Sequence, residues 1–257
     1  MKFLEEILVV SIEQAVAAPL CSSRLADAGA RVIKIEREEG DFARYYDKDV
    51  KGESAYFVWL NRGKESLVLN LKNENDKSLA RKIILSADVY IQNLIPGAID
   101  RLSLSSKKMR ELNKKLITCD ISGYGQRGPY RDMKAYDILV QAETGLCSVT
   151  GTSEKPGRVG VSVCDIACGL NAHSAILQAL YYREKTGLGG GIEVSLFDGM
   201  ADWMNVPLLQ TKYGGRKVKR EGLSHPSIAP YGAFESSSGK NVLIAIQNER
   251  EWKSLCS

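Results

Sequence analysis

Ile7-Leu8-Val9-Val10, then Glu13-Gln14-Ala15-Val16-Ala17-Ala18-Pro19, then Arg31-Val32-Ile33-Lys34-Ile35-Glu36 are the stretches whose reading decides the fold. The first and last are short apolar runs that read as strands. The middle stretch continues with helical spacing at Leu20, Leu25 and Ala26 and ends near Gly29, so it reads as a helix. Strand, helix and strand then recur: Ser66-Leu67-Val68-Leu69-Asn70-Leu71, a helix around Lys77–Ser86, Asp88-Val89-Tyr90-Ile91-Gln92-Asn93, a helix around Ser105–Asn113, and Leu116-Ile117-Thr118-Cys119-Asp120-Ile121. Such alternation predicts an α/β fold, a parallel sheet flanked by helices.

Farther along, Leu170–Arg183 is dense in helix formers and is expected to be buried. The Gly187-Leu188-Gly189-Gly190-Gly191 segment stops it before the strand Ile192-Glu193-Val194-Ser195-Leu196. From about Leu223 the texture changes to Pro226, Pro230 and Gly232, then a hairpin-like stretch from Ala233 to Ile246. The expected organisation is a large domain over 1–200, a linker over 201–222, and the start of a smaller α+β domain over 223–257.

Composition narrows the function classes. The chain has 257 residues, 44% apolar and 26% charged, with a net charge of +4, which suits a globular protein with its own core. No window reaches about 18 uninterrupted apolar residues. The start, Met1-Lys2-Phe3-Leu4-Glu5-Glu6, places acids where a signal peptide keeps its positive region. A soluble cytoplasmic protein with no membrane partner is expected. The six cysteines are scattered and only two histidines, His173 and His225, are present, so reduced buried thiols are expected and no metal site. The basic run Arg216-Lys217-Val218-Lys219-Arg220 lacks interleaved aromatics and reads as a solvated loop, without a nucleic-acid partner.

Gly123-Tyr124-Gly125-Gln126-Arg127-Gly128 matches the dinucleotide fingerprint and follows a strand. The residues after it, Pro129-Tyr130-Arg131-Asp132-Met133-Lys134, do not open an apolar helix that could hold a pyrophosphate. Gly63-Lys64-Glu65 lacks the hydroxyl residue and leading glycine of a P-loop.

Several segments in colinear order together resemble the class III CoA-transferases, the family of formyl-CoA transferase, carnitine CoA-transferase and α-methylacyl-CoA racemase. They are Ala18-Pro19, Leu25-Ala26-Asp27-Ala28-Gly29-Ala30-Arg31-Val32-Ile33-Lys34-Ile35-Glu36, Asn61-Arg62-Gly63-Lys64-Glu65-Ser66, Asn93-Leu94-Ile95-Pro96-Gly97, Gly123-Tyr124-Gly125 and Tyr136-Asp137-Ile138. The resemblance implies a Rossmann-like large domain, a small domain, and an interlocked homodimer. Members of the family are longer at the C-terminus, so the chain is expected to be truncated within the small domain.

The resemblance also implies a site. Asp165, in Val163-Cys164-Asp165-Ile166, matches the family's aspartate nucleophile, which carries CoA as an aspartyl thioester; the competing reading is that Asp165 only caps the following helix. No permanently bound cofactor is implied; a coenzyme A thioester and a free carboxylic acid are the substrates. By position, Val16 and Ala17 meet the pantetheine arm, Arg37 and Arg101 the phosphates, and Leu69, Asn70 and Lys72 the adenosine. Asn93, Leu94, Ser122, Gly123, Tyr124 and Gly125 line the channel, with Ser122 where formyl-CoA transferase has a lysine. Racemases carry a histidine at the position of Tyr136, and a phenol is a poorer proton shuttle, so transfer is favoured over racemisation. A non-catalytic CoA-binding remnant is the other alternative. Segments around Tyr46-Asp47, Phe57–Arg62 and Gln247-Asn248 resemble members that use succinyl-CoA with mesaconate, itaconate or citramalate. Arg44, Arg62 or Arg250 then offers a cation for the distal carboxylate, with Tyr136 and Gln247 as further substrate contacts.

Overall fold

The computed structural model describes residues 2–257. Its first half runs β1 (Leu8–Ile12), α1 (Ala17–Asp27), β2 (Arg31–Glu36), α2 (Ala55–Asn61), β3 (Lys64–Val68), α3 (Glu74–Ser86), β4 (Val89–Gln92), α4 (Ala98–Arg101), α5 (Ser106–Leu112) and β5 (Ile117–Ser122). It continues through α6 (Asp137–Glu143), α7 (Leu146–Val149), α8 (Val163–Thr186), β6 (Gly191–Ser195), α9 (Leu196–Trp203), α10 (Asn205–Lys212), β7 (Tyr231–Glu235), β8 (Asn241–Ala245) and α11 (Glu249–Cys256). Six parallel strands form one sheet in the order β3-β2-β1-β4-β5-β6. That order reverses direction between β1 and β4, leaving a crevice at the carboxyl ends of those strands, where α/β sheets bind ligands. The expected Rossmann-like α/β architecture is therefore present, with a small antiparallel pair beside it in the chain.

Local sequence explains the elements. Val9, Val10, Val32, Ile35, Val89, Tyr90 and Ile91 are buried because helices cover both sheet faces, which makes parallel strands read as apolar runs. On one face, Val10, Ile35 and Tyr90 pack with Ala80 and Ile84 of α3 and Met109 of α5. Asn73 starts α3 by accepting from Asn75 N (2.9 Å) and Asp76 N (3.3 Å), and Glu74 and Asp76 in its first turn suit the helix dipole. α8 ends at Gly187, whose φ of +74° closes it in the left-handed region.

By length and composition α8 would pass for a membrane-spanning helix, yet Cys164, Ala167, Cys168, Ala172 and Ile176 are buried, the pattern of a core helix. It crosses α1 closely: a Cβ on Gly169 would sit 2.6 Å from the Ala17 carbonyl oxygen. α8 starts seven residues before the helix expected from Leu170, which brings Asp165 into its first turn.

The described residues fall into two compact units, one reaching to Val140 and including Val161–Trp203, the other made of Gln141–Gly160 and Met204–Ser257. The sequence reading places 141–160 in the large domain and treats 201–222 as a linker. Tertiary hydrogen bonds give 141–160 to the second unit instead: Arg220 Nε donates to Thr152 O (2.8 Å) and Gly222 N to Gly151 O (3.1 Å). The stretch read as a linker contains α10. The expected hairpin is β7 paired antiparallel with β8, Phe234 opposite Val242. The chain continues into α11, started by Asn248, which accepts from Glu251 N (3.0 Å), while the Glu251 carboxylate accepts from Gln247 N (2.9 Å).

Candidate functional site

The loop after β1 stands at the switch point and is held from two sides. Asn93, just after β4, accepts from Gln14 N (2.9 Å) and donates to Gln14 O (2.8 Å). Asp41 Oδ1 accepts from Ala15 N (3.1 Å) and Ala43 N (2.9 Å). Between these anchors Ala15 adopts φ +63°, a left-handed conformation unfavourable for an L-residue with a Cβ and maintained by the bonds on either side.

Beneath the loop lies a buried charged network. Lys34 Nζ reaches Asp41 Oδ2 (2.6 Å) and Asn61 Oδ1 (2.8 Å). Lys64 Nζ reaches Glu13 Oε1 (2.7 Å) and the Pro19 carbonyl (3.0 Å), and Ser22 Oγ donates to Glu13 (2.8 Å). Burial works to raise the Glu13 carboxyl, but Lys64 and Lys34 outweigh it and hold it below its ordinary range. Sequence reasoning missed this network. Its only trace was polar Lys34 and Glu36 inside an otherwise apolar strand.

A cleft of about 480 Å³ opens on this side of the sheet. Of the residues expected to meet CoA, it brings together Arg37, Leu69, Asn70, Lys72 and Leu94. Val16 and Ala17 are buried at the start of α1, and Val16 packs with Leu20 and Leu60 against Ala15, Tyr56 and Ile166, the residue after Asp165. The loop from Gln14 to Val16 therefore has one end in the cleft and the other beside the Asp165 turn. Arg101 closes α4, between the cleft residues Leu94 and Leu102.

Ser122, Gly123, Tyr124 and Gly125 follow β5. Ser122 Oγ accepts from Gly125 N (3.0 Å), and the Tyr124 ring packs on Tyr130 and Phe197 at 5.7 and 5.9 Å between centroids. A Cβ on Gly123 would fall 1.9 Å from that of Ala135, so this glycine permits a close approach of two segments. The next helix, α6, begins only at Asp137; the fingerprint-like GxGxxG run has no helix to offer a pyrophosphate.

Two of the three cations suggested for a distal carboxylate, Arg44 and Arg62, are already engaged. Arg44 Nη2 pairs with Glu36 Oε1 at 2.7 Å and its guanidinium lies 3.7 Å over the Phe57 ring. Arg62 holds both oxygens of Asp27 and also the Trp59 carbonyl. Gln247 and Arg250 belong to the second unit.

Asp165 sits in the first turn of α8 but does not cap it. Ser162 occupies the cap position with no side-chain bond. Asp137, at the start of α6, supplies the cap from outside: its Oδ1 accepts from Cys164 N (2.8 Å) and Asp165 N (3.4 Å). The Asp165 carboxylate is thus relieved of a structural task. Burial first, and then the charge of Asp137, push its pKa up to about 7. Tyr46 lies within electrostatic range; burial, then Asp41, Asp165 and Tyr136, raise its phenol to about 12. Tyr46 packs edge-on to Tyr56 at 5.4 Å, which places an aromatic wall beside the Ala15–Ile166 cluster. Tyr136, next to the capping Asp137, is largely exposed. Burial and Arg24 lower the pKa of His173, and His173 is not among the groups acting on Asp165.

This geometry makes one prediction independent of any reaction. Asp137→Asn keeps the carbonyl acceptor of the cap and removes the neighbouring charge, so the Asp165 pKa should fall from its value of about 7. Carbon-13 NMR titration of the aspartate carboxyls reads this directly; an unmoved Asp165 midpoint would mean burial alone sets it.

The sequence matches the description of CoA-transferase family III over residues 4–257. The chain belongs to that family. Among the relatives of this family III chain is the acetyl-CoA:oxalate CoA-transferase of Acetobacter aceti, 38% identical over 97% of this chain and 65% of the relative. The succinate–glutarate CoA-transferase of Agrobacterium fabrum is 35% identical over 99% of this chain and 66% of its own length. The succinyl-CoA:mesaconate CoA-transferase of Haloarcula marismortui is 32% identical over 100% of this chain and 67% of its own. A CAIB/BAIF family protein from Brucella suis superposes with a TM-score of 0.88 at 35% identity, covering 98% of this chain and 68% of that one. The family III chain thus spans about two thirds of the length of these curated relatives.

Proposed function

We propose that this family III chain moves coenzyme A between an acyl-CoA and a free carboxylic acid, with Asp165 as the carboxylate that carries the intermediate. One observation carries the reading: the Asp165 carboxylate is raised to about 7 and engaged in no cap, because Asp137 takes the helix N–H groups. A carboxylate with that pKa is substantially ionised at neutral pH yet poorly solvated, a useful combination for a nucleophile.

The steps follow from this position. An Asp165 oxygen attacks the thioester carbonyl carbon, the C–S bond breaks, and the CoA thiolate leaves behind a mixed anhydride. The thiolate then attacks the Asp165 acyl carbon, releasing the first acid as carboxylate and forming an aspartyl-CoA thioester. The incoming carboxylate reverses both steps, so no net proton or water is consumed. Tyr46, with its phenol near 12, stays protonated throughout and can donate to an oxygen anion near Asp165. The cleft containing Arg37, Asn70 and Lys72 suits the nucleotide end of CoA, and the Gln14–Val16 loop leads from it toward Ile166. Racemisation is disfavoured because Tyr136 stands where the proton shuttle would be an imidazole.

For the acyl group, the names of the relatives point to dicarboxylates: oxalate, succinate, glutarate and mesaconate. With Arg44 and Arg62 paired to carboxylates of the protein itself, a distal substrate carboxylate would have to displace those partners or rely on hydroxyl donors such as Tyr46.

The test is mass spectrometry after incubation with succinyl-CoA and hydroxylamine. A hydroxamate at Asp165, absent from Asp165→Ala, is expected. Intact CoA binding without an adduct would leave a CoA-binding protein that does not transfer.

A further inference from the structure

Gly97 opens α4 with φ +78°, and two guanidinium groups lie close to it. A Cβ at this position would lie 3.3 Å from Arg101 Nη1 and 3.4 Å from Arg131 Nη2. Two cations from separate segments, one closing α4 and one in the turn after β5, therefore converge on a residue without a side chain. Like charges repel, and such convergence is unfavourable unless something negative lies between them.

The protein provides little negative charge there. The carboxylate nearest Arg131 is that of Asp132, whose Oδ1 is 3.9 Å from Arg131 Nε, beyond hydrogen-bond reach, with its side chain 81% exposed. Arg131 Nε is itself buried without a hydrogen-bond partner, and among the described residues Arg101 has no ion pair. The Arg131 turn is not loosely hung: Arg131 N donates to Gly128 O (3.3 Å) and Met133 N to Tyr130 O (3.0 Å). The Tyr130 ring packs on Tyr124 at 5.7 Å, and Tyr124 packs on Phe197. Arg131 is thus presented by an anchored segment.

The position of the pair selects its ligand. Leu94 and Leu102, on either side of Gly97 and Arg101 in the chain, line the cleft that also carries Arg37 and Lys72. We propose that Arg101 and Arg131 form a two-guanidinium clamp for a phosphate group of coenzyme A at the rim of this cleft. The clamp rests on the CoA reading given above and adds to it Arg131, a residue outside the positions the resemblance supplies. Guanidinium groups present paired N–H donors that match phosphate oxygens, and a side chain at 97 would crowd both of these, its Cβ already 3.3 and 3.4 Å from them.

Isothermal titration of wild type, Arg131→Gln and Arg131→Lys with CoA, and with pantetheine, which has the same arm without phosphates, tests the clamp. Arg131→Gln should weaken CoA by about tenfold (about 1.4 kcal/mol) and flatten the salt dependence of binding, leaving pantetheine unchanged. Arg131→Lys, which keeps the charge and loses the paired donors, should fall between. Wild-type affinity for CoA in Arg131→Gln overturns the clamp and leaves the CoA reading standing. Equal weakening of CoA and pantetheine overturns it as well, because the loss then lies in the loop and not in phosphate contact. A wild-type protein that fails to bind CoA overturns both.

Discussion

Asp165→Asn is expected to remove CoA transfer by on the order of a thousandfold or more while making the protein more stable at alkaline pH. Both effects come from one environment. The folded state holds the Asp165 pKa near 7 through burial and the Asp137 charge, against an ordinary value of 3.8. Between about pH 4 and 7 the folded state therefore binds more proton than the unfolded chain, and its stability falls as pH rises through that window. From about pH 8 upward the penalty is complete, about 4 kcal/mol as an upper bound. Asparagine carries no such penalty. Urea unfolding should show the variant gaining most at pH 8 and little at pH 4. A variant that loses activity but keeps the wild-type dependence of stability on pH would mean that Asp165 is not strained by its surroundings, and the argument for its poised carboxylate would go with it. Asp137→Asn should shift stability in the same direction by a smaller amount, because its charge is the second cause and its cap is retained.

The parts of this fold that sequence makes visible are those whose physics is local. β1, β2, β4 and β5 are buried on both faces and read as apolar runs; α3 carries its own Asn73 cap. The start of α8 was hidden because its capping group is Asp137, 26 positions before the helix-opening Val163 in sequence, while Ser162 at the cap position makes no side-chain bond to the helix. Asp165 was legible through resemblance, yet that it is not the group capping α8 needed the tertiary position of Asp137. The charges of Arg44 and Arg62 were visible, but not that Glu36 and Asp27 neutralise them. Likewise residues 141–160 join the second unit through Arg220 and Gly222, a pairing across some seventy residues that no periodicity reports. The buried network under the switch point was the largest omission, because Lys34 and Lys64 occupy strand positions where charge normally signals a solvent face.

That network carries the other large effect. Lys34→Met should cost about 3–5 kcal/mol of unfolding free energy, the usual consequence of leaving a buried charge without its partner. Lys34 and Asp41 are 2% and 0% exposed and 2.6 Å apart, so the methionine variant would strand the Asp41 carboxylate away from water, with the Ala15 and Ala43 N–H groups as its hydrogen-bond partners and Lys64 as the cation left in electrostatic range. The loss should spread to Lys64 and Glu13, because Asn61 Oδ1 accepts from both lysines. The double variant Lys34→Met with Asp41→Leu removes the stranded charge and should recover part of the loss; full recovery is not expected, since Asp41 also holds Ala15 N and Ala43 N. Guanidinium unfolding of the two variants tests this: a double variant no better than the single one would mean that relieving the stranded Asp41 charge gains no more than the lost Ala15 and Ala43 bonds cost. The functional consequence follows from Ala15. Its φ of +63° depends on the Asp41 bond, and freeing it loosens the Gln14–Val16 loop between the cleft and the Asp165 turn. Folded Lys34→Met protein should therefore bind CoA more weakly than wild type even though Lys34 lies beneath the loop and does not line the cleft.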